Sequence, residues 1–235
     1  MFKAIIFDVD GTLSETEEIH RKAFNRAFWE SGLSWHWNQP DYRLLLRVTG
    51  GKERIRHFIE QYDPDRPEIN NIDGQIRNLH KTKTKRYAEM VAQGEAKLRP
   101  GVRDLIDRAR SDGIRLAIAT TTTPANIEAL LDSAYGSEAP TLFDVICAGD
   151  SVPRKKPAPD IYCLALEKLG LAAKDCVAIA DSRNGLLSST AAGIPTIVTP
   201  SVYTDDQRFD EAILVTRNLS HIDIAASLNI AALSS

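Results

Sequence analysis

Residues Ala4 to Phe7 form an unbroken apolar run that stops abruptly at Asp8-Val9-Asp10-Gly11-Thr12. A run of this kind reads as a continuously buried strand. Its period of two puts the carboxylates of Asp8 and Asp10 on the same side of the strand's carboxyl end. Two acids held that close repel each other when both ionise, so the pair calls for a shared proton or a bound cation. An acidic turn closed by Gly11 is the plainer reading of the same five residues.

Four further apolar strand candidates follow at Leu116 to Ala119, Val145 to Ala148, Val177 to Ala180 and Thr196 to Val198, with a weaker sixth at Ala212 to Val215. Helical stretches such as Val102 to Ser111, Pro124 to Ser133 and Asp160 to Leu169 separate them. That alternation predicts an α/β fold, a doubly wound, Rossmann-like parallel sheet with helices on both faces. Residues 16–94 differ, being rich in helical periodicity and lacking a good strand. They are predicted to form an inserted helical cap on a core made of residues 1–15 and 95–235.

The first cap helix is expected after Ser14, whose spacing to Glu17 fits a capping box, and it should end near Gly32. Ile19, Ala23, Phe24, Ala27 and Phe28 make its apolar stripe. A second helix should start after Gly50-Gly51 and run to Tyr62, and a third should cover about Asn71 to Ala92. Trp29, Trp35 and Trp37 are expected to pack the cap. The two crossings, near residues 14–16 and 93–98, make a hinge plausible, so the insert reads as a lid.

A chain of 235 residues with 43% hydrophobic content holds a large core without staples. Its net charge of −3 shows neither a basic nor an acidic bias, so nucleic acid and membrane surfaces are not indicated as partners. Cys147, Cys163 and Cys176 lack a metal-binding spacing and sit in apolar contexts, which predicts buried reduced thiols and a cytoplasmic location. No stretch approaches a transmembrane length. A monomer acting on a small molecule is the expectation.

In doubly wound sheets, ligands bind beyond the carboxyl ends of the strands. Read together, the exits give Asp8 and Asp10, then Thr120 to Thr123, then Lys156, then Asp181. These are the parts needed to hold a divalent cation against a phosphoryl group. Asp8 suits a nucleophile that forms an aspartyl phosphate. Asp10 suits a general acid and base, given a pKa raised by the neighbouring acid. Asp8 and Asp181, with the Asp10 carbonyl, offer magnesium an oxygen set. Lys156 offers a compact positive charge, and Thr120 with the amides after it, Thr121 included, offers donors to phosphate oxygens. Singly, the threonines also read as a helix cap, Lys156 as a solvated loop charge and Asp181 as a turn acid.

With these residues in sequence order, the chain resembles a haloacid dehalogenase superfamily phosphohydrolase with a helical cap inserted after the first motif. Glu15 to Arg21, Val48 to Ile55, Ala119 to Thr123 and Lys155 to Tyr162 are similar to its CbbY branch, which includes xylulose 1,5-bisphosphate phosphatases. The resemblance implies a magnesium-dependent phosphatase with a sugar bisphosphate as substrate. It also turns Glu17 and His20 toward substrate contact, where capping and core packing are the alternatives. Gly51, Lys52 and Arg54, at a helix start, are expected to receive a second phosphate, with Thr122 and Thr123 approaching from the core side. One departure is Ala180, where relatives commonly carry Glu, and it predicts a site that needs more magnesium. A phosphosugar mutase resembling β-phosphoglucomutase and a non-catalytic phosphosugar-binding protein are the alternatives.

Overall fold

The computed structural model describes residues 2–62 and 71–220. Residues 63–70, assigned above to the cap, and 221–235, assigned to the core, lie outside the described residues. Six parallel strands form one sheet in the order β3-β2-β1-β4-β5-β6. They are β1 (Ala4–Phe7), β2 (Arg115–Ala119), β3 (Val145–Cys147), β4 (Cys176–Ala180), β5 (Thr196–Val198) and β6 (Leu214–Val215). The strand directions follow from the connections, because helices α5 (Val102–Ser111), α6 (Pro124–Tyr135), α7 (Asp160–Leu169) and α8 (Arg183–Ala191) return the chain to the same end each time. β1 is central and wholly buried, as its unbroken apolar run requires.

The two faces of β1 divide the core. Ile5 and Phe7 pack with Leu105 and Ile106 of α5 and Ile127 and Leu130 of α6, whereas Ala4 and Ile6 pack with Ile161, Tyr162 and Ala165 of α7. Phe7 lies level with Ile118 of β2 and Ile179 of β4. The strands therefore end together, and the polar residues that follow them meet at one edge.

Between β1 and α5 the chain forms α1 (Glu17–Glu30), α2 (Gln39–Leu45), α3 (Gly51–Tyr62) and α4 (Ile72–Ala92). Phe24, Phe28, Trp37, Tyr42, Leu45, Ile55, Ile59, Ile76 and Leu79 make a separate apolar cluster, joined by Tyr203 from the loop after β5. Trp37 is fully buried there and Trp35 packs against its edge, as expected. Trp29 does not: it is 68% exposed, with the Arg26 guanidinium lying over its ring. It falls at the end of α1, one position off the buried stripe.

Three other expectations need correction. Helix α2 was not anticipated, although Asn38 caps it by accepting a hydrogen bond from the Asp41 amide and Pro40 sits in its first turn. Ser14 does not cap α1, which starts after Thr16 without a side-chain cap. Instead Ser14 Oγ donates to the Lys97 carbonyl at 2.6 Å, and Arg99 N donates to the Leu13 carbonyl at 2.8 Å, so the two crossings are tied to each other. Cys163 is exposed on α7, while Cys147 and Cys176 are buried thiols.

Candidate active site

The residues that follow β1, β2 and β4, together with the loop before α7, line one cavity of about 450 Å³. Asp8 leaves β1 with only 8% of its surface exposed. Its Oδ1 accepts from the Val9 amide at 2.9 Å, and its Oδ2 lies 2.8 Å from Lys156 Nζ. Burial works against the charge of Lys156, but Asp8, with Asp181 further off, holds its pKa above the ordinary value. The lysine therefore stays cationic. Asp181, at the exit of β4, is 4% exposed, and its backbone carbonyl accepts from Thr204 Oγ1 at 2.8 Å. Burial, then the negative charge of Asp8, pushes its pKa up to about 8.

Gly11 makes this approach possible. Its φ is +73°, and a Cβ there would collide with Asp181 Oδ2, so the turn after Asp10 fits only without a side chain.

The chemistry of the donor set is the structural test for a cation. Two buried carboxylates, Asp8 and Asp181, line one cavity, Lys156 pairs with Asp8 alone, and a bound divalent ion would reduce the repulsion between the acids. Among the described residues no three carboxylate, histidine or cysteine side chains converge as a metal cage. The donor set on offer is thus two carboxylates, a main-chain carbonyl and water, which fits magnesium.

Asp10, two residues beyond Asp8, lines the same cavity. Its Oδ1 accepts from Thr16 Oγ1 at 2.6 Å and from His20 Nε2 at 2.8 Å. His20 Nδ1 is 2.6 Å from Lys83 Nζ, and its ring stacks on Tyr87 with centroids 4.1 Å apart. An ammonium only donates, so Nδ1 accepts and the proton of the neutral imidazole sits on Nε2. Burial and then the charge of Lys83 bring His20 down to about 4, against the pull of Asp10. Burial likewise brings Lys83 down to about 8.

Burial opposes the charge of Asp10 too, but the His20 and Thr16 bonds and the positive Lys83 outweigh it. Its carboxyl is held well below the usual range. In the ligand-free protein the direction is thus opposite to the expected rise. The acid that is raised is Glu17: burial, then Asp10, pushes it up to about 7, and its Oε2 accepts from Tyr42 OH at 3.0 Å. Glu17 and His20 both line the cavity.

From the core, Thr120 is almost fully buried and its Oγ1 accepts from the Thr122 amide at 3.3 Å. Thr122 Oγ1 in turn accepts from Asn126 Nδ2 at 2.9 Å. Thr121 and Thr123 complete this wall, and the Thr123 hydroxyl has no partner among the described residues.

The helix start at Gly51 behaves only partly as expected. Gly51 lines the cavity, and a Cβ on it would overlap His80 of α4. Arg54 lines the cavity as well, but its guanidinium donates to the Leu45 carbonyl at 3.1 Å and the Val48 carbonyl at 3.2 Å. Lys52 is not among the lining residues: its ammonium crosses to Asp150 of the core, which also holds Lys155 at 2.7 Å. A carboxylate on a facing loop outcompetes a solvated position for a surface lysine. Lys83, His80 and Asn126 were missed from the sequence, as was Asn184, whose Nδ2 donates to Thr49 Oγ1 at 2.9 Å across the cavity's rim.

Known proteins resemble this chain over most of its length. The sequence model of haloacid dehalogenase-like hydrolases matches residues 2–193. Protein CbbY of Rhodobacter capsulatus is 52% identical over 89% of this chain and 90% of its own. Protein CbbY of Cereibacter sphaeroides is 45% identical over 99% of each. The crystal structure of CbbY from Rhodobacter sphaeroides in complex with phosphate superimposes with a TM-score of 0.91 at 45% identity, over 97% of this chain and 100% of that one. A variant of the same protein, solved in complex with xylulose 1,5-bisphosphate, gives the same score. With relatives this similar along nearly the whole length, and with the motif residues gathered at one sheet edge, the chain belongs to the haloacid dehalogenase-like hydrolase family, as an enzyme of its CbbY branch.

Proposed function

We propose that this sugar-phosphate phosphatase is magnesium-dependent and hydrolyses a small sugar bisphosphate, xylulose 1,5-bisphosphate being the leading candidate, through an aspartyl phosphate on Asp8. One observation carries the reading: Asp8, paired to Lys156, lines one cavity together with Asp10, Asp181 and the cations Arg54 and Lys83. The bisphosphate complex of the 45% identical relative supports the choice of sugar.

Asp8 attacks phosphorus, and the bond from phosphorus to the sugar oxygen breaks. Asp10 gives a proton to the departing alkoxide. Asp10 then takes a proton from water, whose oxygen displaces Asp8 from phosphorus and releases inorganic phosphate. Asp10 is ionised in the ligand-free protein, and an arriving phosphate dianion raises its pKa by like-charge repulsion, loading the proton it must give. Lys156 neutralises Asp8 and the oxygens of the transferring group, joined by Thr120 and Thr121. Magnesium held by Asp8, Asp181 and the Asp10 carbonyl would supply further positive charge there.

Residues 16–94 act as a cap over the core of 1–15 and 95–235. Contacts across the rim support this: Arg43 of α2 reaches Asp205 at 2.7 Å, Asp206 at 2.9 Å and the Val202 carbonyl at 2.6 Å. Phosphate release from a panel of sugar mono- and bisphosphates tests the substrate. Steady release from xylulose 1,5-bisphosphate without an activator is expected. Isomerised monophosphate with little free phosphate would instead identify a mutase.

Ala180 permits a second test. Ala180 ends β4 immediately before Asp181, and a Cβ placed on Gly185 would sit 3.0 Å from the Ala180 Cβ and 3.5 Å from Asp8 Oδ2, so Gly185 lies near both. Supporting groups around a metal typically change its affinity about 10-fold or more. Ala180→Glu is expected to lower the magnesium concentration for half-maximal activity by about that factor. An unchanged activation constant rejects a metal role for this position.

A further inference from the structure

The rim of the cavity is set with arginines, and all but one are engaged. Arg43 holds Asp205 and Asp206, Arg183 holds Glu211, and Arg208 lies 3.1 Å from Asp210. Arg54, deeper in, is turned onto main-chain carbonyls. Arg47 lines the same cavity, yet its guanidinium has no hydrogen bond, ion pair or ring contact among the described residues. Its backbone is anchored all the same. Arg47 N donates to the Leu44 carbonyl at 3.2 Å, and its own carbonyl accepts from Asn184 of the core at 3.3 Å. An exposed cation is thus tethered at the seam between the helical region and the core, just ahead of the α3 start.

The Asp8 end of the cavity already has its cation in Lys156. A substrate with a second phosphate brings a second dianion, and Lys52 is committed to Asp150 outside the lining. A planar guanidinium presents paired donors to phosphate oxygens, and one still in water gives up no internal partner on binding. We propose that Arg47 is a specificity-determining residue that binds the second phosphate of a bisphosphorylated sugar and sets the preference for bisphosphates over monophosphates. This rests on the phosphatase reading above.

The test compares wild type, Arg47→Met, Arg47→Lys and, as a charge control, Arg110→Met from the far end of α5. Each is assayed with xylulose 1,5-bisphosphate and with the better of the two xylulose monophosphates. Loss of one charge-assisted contact is expected to lower the ratio of kcat/KM for bisphosphate over monophosphate by about 10-fold in Arg47→Met, through KM rather than kcat. Arg47→Lys should recover part of the ratio, and Arg110→Met should keep it. A ratio unmoved by Arg47→Met, or moved equally by Arg110→Met, overturns the inference while leaving the phosphatase reading intact. A wild-type protein that releases phosphate from no sugar phosphate removes both.

Discussion

Asp8→Asn is expected to lower turnover of every phosphate ester by about 10⁴-fold or more, because an amide oxygen cannot replace the carboxylate as nucleophile. The environment makes this substitution unusually informative. The two Asp8 oxygens each take a different donor, the Val9 amide at one and Lys156 at the other. Asparagine offers one acceptor and sets an NH₂ against the remaining donor. That mismatch costs about 1–3 kcal/mol, partly offset by relief of the repulsion that raises Asp181. A fall of about 5 °C in thermal midpoint is the expected scale, with circular dichroism unchanged at the assay temperature. Activity lost while the fold persists assigns the effect to chemistry. Wild-type turnover in the folded variant would dismiss Asp8 as the nucleophile.

The sequence was most legible where local and global signals coincide. The apolar run closing on Asp8 reads as a buried strand, the structure makes it β1, and level strand ends bring Asp8, Thr120 and Asp181 to the same end of the sheet. Lys83 was harder. It lies one turn from Leu79 and one turn from Tyr87 on the buried stripe of α4, so a charge at a core position was the available signal. Its partner His20 is 63 residues earlier, and that pairing exists only after α1 and α4 pack. Ser14 and Lys52 misled for the opposite reason. Each matches a local helix-start pattern, yet tertiary partners, the Lys97 carbonyl and Asp150, take their side chains. Short-range capping and solvation are weak beside an acceptor delivered by the fold.

Asp10→Asn should separate the two halves of the reaction. One Asp10 oxygen is fixed by Thr16 and His20, and Lys83 holds the His20 tautomer that makes the second of these bonds. The other carboxylate oxygen has no protein partner among the described residues and is the one left for proton transfer. Asparagine keeps an acceptor for Thr16 and His20 but carries no exchangeable acid, so hydrolysis of sugar phosphates is expected to fall by about 10²- to 10⁴-fold. An aryl phosphate behaves differently, because nitrophenolate leaves without being protonated. With 4-nitrophenyl phosphate, Asp10→Asn should release a burst of about one equivalent of nitrophenolate per enzyme and then stall, since water still needs its base. Asp8→Asn should show no burst at all. If Asp10→Asn loses both substrates equally and bursts with neither, then Asp10 is not the proton donor, and Glu17, raised to about 7 and lining the same cavity, becomes the group to replace.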